Sequence, residues 1–485
     1  MKLKPLNLTD FYKAGHRPQY PKKTEKVYSN GTPRTSRIPE IQSVVTFTLQ
    51  YLVDEFFIKS FNEEFFQKPK EEVINAYKRR MDNALGPDLI KVDHLEALHD
   101  LSYLPIEFKA LPEGTVSPIG VPVFTITNTL PEFFWLTNFL ETLTSCVTWH
   151  GITSATIAFE YRKLLKKYED LTSDMAGFAQ WEGHDFSMRG HTSPESAIVS
   201  GAAHLLSFTG TDTVHSIDFL EDYYGADCTK ELIGGSVTAT EHSVMCLGGA
   251  ETESETYERL LDQYPTGILS VVSDTWDYWK VLTVTVPSLK KKIMASDGKL
   301  VIRPDSGDPV LIVCGDPSAP EGSPERKGTV QLLWETFGGT TNSKGYKQLD
   351  THIGTIYGDS ITLDRADAIC SRLAAAGFSS TNVVFGIGSY TYQYVTRDTF
   401  GFAIKATYGV IDGHPIDMFK KPKTDSGVKK SAKGLLRVNA DLTLSQQVTP
   451  AEEKEGLLRT IFKDGKRYNV ETLSQIRARL LSHLK

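Results

Sequence analysis

The chain has 485 residues, of which 40% are hydrophobic and 23% charged, and 53 Lys and Arg stand against 60 Asp and Glu for a formal net charge of −7. This is the composition of an ordinary folded protein, long enough for two packed domains, since a single core stops growing near roughly 250–300 residues. Mild acidity excludes a broad nucleic-acid-binding face but leaves room for a local basic site that takes a small anion.

Met1 to Pro18 holds no apolar run of the kind a secretory segment needs. No stretch reaches the roughly 18 apolar residues of a membrane span. The five cysteines, Cys146, Cys228, Cys246, Cys314 and Cys370, are scattered and show no CxxC spacing. Neither a structural zinc site nor a disulfide framework is expected, and the composition reads as a reducing, cytoplasmic enzyme.

In chain order, Val27-Tyr28-Ser29 is extended and runs into a turn at Asn30-Gly31-Thr32-Pro33. Val44 to Ser60 has apolar residues at helical spacing. Ile106 to Thr127 reads as two or three strands punctuated by Pro and Gly. A helical region follows from Pro131 to Asp170, with a break expected at Gly151. Ser193 and Pro194 supply an N-cap and first-turn proline for a helix ending near Gly210.

Beyond Gly210 a polar or glycine-rich site repeatedly follows an extended stretch. Asp212, His242, Asp274, Asp305, Asp359 and Gly388 mark these sites about every 30 residues, one strand–helix unit each. One longer interval contains the loop-like insertion Gly315 to Gly328. Polar groups at successive strand ends suit the active face of a βα barrel. A doubly wound sheet places ligands similarly, so the spacing leaves both open.

Several of these stretches carry chemistry. In Arg303-Pro304-Asp305-Ser306-Gly307, Arg303 suits a phosphate and Asp305 a sugar hydroxyl or a magnesium shell. Alone, the stretch is slightly more often a type I turn with an ion pair. Gly386-Ile387-Gly388-Ser389 after an apolar strand exposes backbone N–H groups to a phosphate, although no P-loop pattern is present. Arg397 and Lys405 downstream favour the phosphate over a plain tight turn. His242, between Glu241 and Ser243, suits a base, a metal ligand or a phosphoryl acceptor; a hydrogen-bonded structural histidine is the commoner case. Phe186 and Tyr12 suit a flat heterocycle, but singly each reads as core packing. Lys420, Lys421, Lys423, Lys429, Lys430 and Lys433 form a basic run that reads first as a solvated loop.

Taken in order, TDFYKAGHRPQYP, LPEFFWLTNFLET, HDFSMRG, FTGTDTV, GSVTATEHS, SVVSD, VIRPDSGDP, TNSKGYK, YGDS, FGIGS, TRD and KGLLRV resemble the nicotinamide phosphoribosyltransferase family, over about residues 7–438. That resemblance implies an α/β fold: an irregular TIM-like βα barrel over residues 151–400, with an α+β domain over 1–150 completed by about 400–485. It implies transfer of phosphoribosyl from phosphoribosyl pyrophosphate to nicotinamide, giving nicotinamide mononucleotide and pyrophosphate in NAD salvage. It implies a homodimer with shared sites, no membrane or nucleic-acid partner, Mg2+ bound mainly through pyrophosphate, and coupled ATP hydrolysis.

Position by position, Tyr12 and Phe186 resemble the two faces of the nicotinamide sandwich, with Tyr12 supplied by the neighbouring subunit. Asp212 resembles the carboxamide acceptor, with Ser236 a further substrate contact. Arg189 and Arg303 resemble substrate-gripping cations, Asp305 and Asp359 (after Gly358) ribose contacts, and Gly388 and Ser389 the 5′-phosphate cradle. Arg34, Arg397 and Lys405 resemble phosphate and pyrophosphate ligands. His242 resembles the histidine phosphorylated by ATP, with Glu241 and Asp274 as its partners. Ser389 stands where a further glycine is usual, Ile387 where a small residue is usual, and Thr238 where a proline is usual before the histidine loop. The alternatives are the same transfer to nicotinate, which competition would separate, and a non-catalytic ligand-binding relative, which would bind without turnover.

Overall fold

The computed structural model describes residues 3–420 and 432–484. Lys421, Lys423, Lys429 and Lys430 of the basic run lie outside the described residues. Among the described residues, no helix is long and apolar enough to cross a membrane, and all five cysteines are free thiols.

Three strands come from the first part of the chain: β1 (Thr24–Pro33), β2 (Ile106–Ala110) and β3 (Phe124–Asn128). Seven short strands follow: β4 (Gly183–Asp185), β5 (Gly210–Thr211), β6 (Thr238–Ala239), β7 (Thr266–Val272), β8 (Asp297–Arg303), β9 (Ile353–Tyr357) and β10 (Val383–Ile387). The chain ends with β11 (Phe402–Ile411), β12 (His414–Asp417), β13 (Arg459–Lys463) and β14 (Lys466–Arg467).

The first and last groups form one antiparallel sheet in the order β12-β11-β1-β3-β2-β13-β14. Helices pack against it around Phe57, Phe61, Phe65, Phe108, Phe124 and Phe462, each at most 2% exposed. A fully buried phenylalanine contributes roughly 1.5–3 kcal/mol, so this aromatic cluster anchors both ends of the chain to one core.

The middle group forms a parallel sheet in the order β5-β4-β10-β9-β8-β7-β6. The segment before β6 bridges to β5 at Gly210 and Gly235. Thr211 N–H donates to Gly235 O (2.9 Å) and Gly235 N–H to Thr209 O (2.8 Å), so the seven strands curl into an irregular barrel in chain order. Along β8, Leu300 and Ile302 are buried toward the helical layer, while Lys299, Val301 and Arg303 line an interior cavity. That is the two-residue alternation of a strand. The C-terminal helix Leu473–Leu481 buries Leu473, Ile476 and Leu480 against Phe159, Ala203 and Phe219 of the outer layer.

The structure corrects four expectations. Asn30-Gly31-Thr32-Pro33 is not a turn: β1 runs through it, and Gly31 is needed because a Cβ there would sit 2.1 Å from the Phe124 ring. Val44 lies in the strand Ser43–Val45, which pairs with Val116–Pro118; the helix that follows covers residues 49–66. The helix Glu141–Thr172 is unbroken at Gly151, the chain having bent before it at Leu140. Helix Pro194–His204 starts as expected, the Ser193 hydroxyl accepting from Ser196 N–H, but ends at His204 because Gly210 opens β5.

A Cβ at Gly151 would lie 2.3 Å from Thr48 Cγ2. Thr48 is wholly buried with φ of 66°, so it cannot swing away. Gly151→Ala therefore destabilises the fold by about 1–3 kcal/mol through overpacking, although alanine in an exposed helix would stabilise by about 1 kcal/mol. Urea unfolding measures the sign; a more stable variant would refute this packing account.

Candidate active site

The carboxyl ends of the parallel strands converge on one rim. Phe186 follows β4 directly, its N–H donating to Ile387 O at the end of β10 (3.0 Å). The ring lies against Gly386, where a Cβ would come within 2.4 Å of it. Beside the ring, Asp212 Oδ1 accepts from His184 Nε2 (2.8 Å) and from Ser236 Oγ (2.6 Å), and Oδ2 has no hydrogen bond among the described residues. Burial pushes the Asp212 carboxyl up, but the bond and charge of His184, the Ser236 hydroxyl and the Arg303 charge together hold it below the usual carboxylate range.

Phe186, Asp212, Ala239 and Arg303 border two cavities at once. One, of 490 Å³, runs into the barrel between apolar walls that include Trp181, Ile268, Val301 and Ile356. The other, of 930 Å³, is more open and polar, and takes in Arg189, Glu241, Asp305, Gly358, Asp359, Gly388 and Ser389. A flat apolar ring with one polar edge fits the junction; an anionic, hydroxylated group fits the open side.

Arg303 Nη2 donates to Thr240 O (2.5 Å), and its Nε lies 3.8 Å from Asp305 Oδ1. Asp274 accepts on Oδ2 from Asp305 N–H (2.8 Å) and Ser306 Oγ (2.5 Å). Burial raises the Asp305 carboxyl; Arg303 and His242 oppose this, while Asp274 and Asp359 reinforce it. The Nδ1 of His242 is 3.0 Å from Thr275 Oγ1, and its Nε2 lies 3.9 Å from both Asp274 Oδ1 and Asp305 Oδ2. Glu241 is not a partner of the ring: its carboxylate receives the Ser243 hydroxyl. Arg189 and Asp359 make no hydrogen bond among the described residues and are free to meet a ligand.

Gly388 is extended and open, with nothing within 4 Å of a Cβ built there. Ser389 fills the space left by Gly190, where a Cβ would meet the Ser389 Oγ at 2.0 Å, so the extra side chain turns away from the cradle. Ile387 is wholly buried in β10 and Thr238 begins β6.

Four expected ligands stand apart. Tyr12, Arg34, Arg397 and Lys405 line a separate 410 Å³ cavity beside the antiparallel sheet, together with Asp10, Glu141 and Trp149. No residue lines both this cavity and the rim. Tyr12 is 62% exposed, its ring 4.9 Å from that of His16 and 5.3 Å from Lys13 Nζ. Lys13 is itself buried against Glu141 at 3.2 Å. Burial pushes the Lys405 ammonium below the usual lysine range; Glu141 opposes this, and Arg34 and Lys13 add to it.

Among the described residues, no group of three or more His, Cys, Asp or Glu is arranged to hold a metal ion. Asp305 and Asp359 offer two carboxylates to the polar cavity, enough for a magnesium ion that arrives with most of its shell supplied by phosphates and water. The sequence reading missed His184, Thr240, Thr275 and Ser306. Each acts by holding another residue, which leaves no motif; only the alternation of His184 with Phe186 carried a signal for the first.

The model of the nicotinate phosphoribosyltransferase (NAPRTase) family matches residues 181–466, and that of the nicotinamide phosphoribosyltransferase N-terminal domain matches residues 5–86. The chain is 51% identical to a nicotinamide phosphoribosyltransferase of Acinetobacter baylyi, covering 100% of this chain and 98% of that one. A nicotinamide phosphoribosyltransferase of Mycoplasma pneumoniae is 34% identical over 87% of this chain and 93% of its own. In fold, the chain is similar to a nicotinate-nucleotide pyrophosphorylase from Pyrococcus furiosus (TM-score 0.58, 16% identity, 99% and 95% covered) and to human nicotinic acid phosphoribosyltransferase (TM-score 0.52, 16% identity, 98% and 94% covered). The chain therefore belongs to the nicotinate phosphoribosyltransferase (NAPRTase) family, on its nicotinamide phosphoribosyltransferase branch.

Proposed function

We infer that this chain is a nicotinamide phosphoribosyltransferase, forming the bond from the ribose anomeric carbon to the pyridine nitrogen as the bond to pyrophosphate breaks. The observation that carries this reading is the Asp212 carboxylate, held ionised beside the Phe186 ring with Oδ2 unused. An ionised acceptor there binds the N–H of a carboxamide and repels a carboxylate, which favours nicotinamide over nicotinate.

In this reading the pyridine stacks on Phe186, and Asp305 and Asp359 lie near the ribose, where positive charge develops as the leaving group departs. Arg303 and Arg189 meet substrate anions, and the N–H groups at Gly388 and Ser389 meet the 5′-phosphate. Asp305 and Asp359 are the carboxylates that would face a magnesium ion bound to the pyrophosphate, and that ion would supply charge neutralisation to the leaving group. Purified protein with phosphoribosyl pyrophosphate and magnesium should convert nicotinamide in preference to nicotinate. Asp212→Asn should lower kcat/KM for nicotinamide by about 10–100-fold, from loss of one charged hydrogen bond, and narrow the preference; an unchanged preference would contradict the assignment.

ATP coupling is part of the proposal. His242 Nε2 is the free nitrogen, since Nδ1 faces Thr275, and Asp274 and Asp305 stand where an imidazolium would be stabilised. It takes the γ-phosphoryl group of ATP, releasing ADP, and water later releases phosphate. His242→Ala should keep basal transfer and lose ATP stimulation, read as mononucleotide yield with and without ATP.

A homodimer with shared sites is the third part. Tyr12, Arg34, Arg397 and Lys405 form an outward-facing cluster of one ring and three cations, and the rim offers Phe186 with one face open to a stacking partner. One protomer supplies the cluster and the other the rim. Phe186→Ala and Arg397→Ala chains, each nearly inactive, should recover on mixing to about a quarter of the wild-type rate, because half the dimers then hold one intact site. No recovery after subunit exchange would exclude sharing.

A further inference from the structure

Behind the rim lies a hydrogen-bonded network that the function above does not use. Its centre is His191, in the turn between Met188–Gly190 and helix Pro194–His204. Its Nε2 is 3.1 Å from Ser187 Oγ; its Nδ1 is 3.0 Å from Ser196 Oγ and 3.1 Å from Gln393 Oε1. Ser187 joins Phe186 to Met188 and Arg189, and Gln393 directly follows the short helix Ser389–Tyr392 that begins at the anion cradle. Phe186, Arg189, Ser389 and Gln393 all line the same 930 Å³ cavity.

The direction of each bond follows from the donors. Asp185 is wholly buried and takes Ser187 Oγ and N–H on Oδ1 (2.6 and 3.0 Å), and Thr213 and Thr211 hydroxyls on Oδ2 (2.6 and 3.3 Å). The single hydroxyl proton of Ser187 is thus committed to Asp185, and its oxygen can only accept from His191 Nε2–H. Nδ1 then carries the lone pair and accepts the single hydroxyl proton of Ser196, whose oxygen also lies 3.3 Å from Gln393 Oε1; Gln393 Oε1, an acceptor like Nδ1, is held by Thr192 N–H (3.2 Å) and not by the His191 ring. Burial and the nearby His150, whose ring is 5.7 Å away, push His191 down to about 4, in keeping with a neutral ring that has one fixed tautomer.

We propose that His191 is a positioning residue that, as its Nε2–H tautomer, ties Ser187, in the turn carrying Phe186 and Arg189, to Ser196 in the first turn of helix Pro194–His204, and so fixes the Thr192 N–H that holds Gln393 at the end of the anion cradle; pyridine stacking and anion binding then support each other. This rests on the transferase reading. Neither His191 nor Ser187 touches substrate in it; they act through Phe186, Arg189 and Gln393.

The test is a double-mutant cycle on the full-length enzyme. His191→Ala should raise KM for nicotinamide roughly tenfold while changing kcat less than about threefold, and Ser187→Ala should do the same, each removing one link of the same chain. The double variant should be no worse than either single one, because the link is already broken. His191→Gln, which keeps an N–H donor, should recover most of the loss and guards against simple misfolding. Pyrophosphate should tighten nicotinamide binding in the wild type and not in His191→Ala. Multiplicative losses in the double variant, or an unchanged KM in His191→Ala, would overturn the proposal. A wild-type protein that made no mononucleotide would instead sink the transferase reading. Histidine-selective 15N spectra would then still test the lock, with a dominant Nδ1–H tautomer at His191 against it.

Discussion

The rim exists because all seven barrel strands point the same way. Parallel direction sends every carboxyl end to one side, and two-residue alternation decides which side chains face inward. In β8 this puts Val301 in the wall and Arg303 at the mouth, while Leu300 and Ile302 fasten the strand to the helices. Several of the strands are only two or three residues long. Their functional side chains leave the ladder almost at once and must be held by other means. Asp185 and Asp274 supply that means, each gathering donors from neighbouring strand ends.

Two carboxylates on this rim are pushed in opposite directions by their surroundings. Asp212 receives two short hydrogen bonds and feels a guanidinium, so it stays charged although it is partly desolvated. Asp305 is raised chiefly by burial, with Asp274 and Asp359 adding to it, and Arg303 and His242 offset this only in part, so further positive charge beside it would favour its ionised form. One group is thus an ionised hydrogen-bond acceptor with one oxygen unused, and the other gains most when positive charge builds beside it. A pair of acids so divided suits a reaction whose acceptor is neutral and whose sugar becomes electron-poor.

Much of this was legible in the residues. The β7 to β10 stretches, with their Val- and Ile-rich cores and polar ends, declared themselves by spacing, and Ser193-Pro194 announced a helix start that the structure contains. The failures share a cause. Gly31 and Gly151 were read as local punctuation, yet both are glycine because of a neighbour distant in sequence, Phe124 and Thr48 respectively. β4 was missed because Gly183-His184-Asp185 is too short to show a period. The division of the expected ligands between two cavities had no local trace either. Arg397 lies eight residues past Ser389 in the sequence, yet it faces the antiparallel sheet, because the chain turns at 396–401 into β11.

The interleaved sheet also sets the order in which the molecule can assemble during synthesis. Thr24 of β1 finds its partner only at Ile411 of β11, and Arg459 of β13 closes on Ala110 of β2. Until the ribosome has made the whole barrel, both outer edges of the β1-β3-β2 ribbon lack their neighbours, and contacts this remote in sequence form slowly. In the barrel most strands pair with the next one in the chain, and the one distant pair, β4 with β10, is complete by Ile387, so the barrel has everything it needs earlier. The nascent N-terminal region must therefore wait, its strand edges exposed and open to wrong pairings, until the polypeptide beyond Phe402 emerges to seal them.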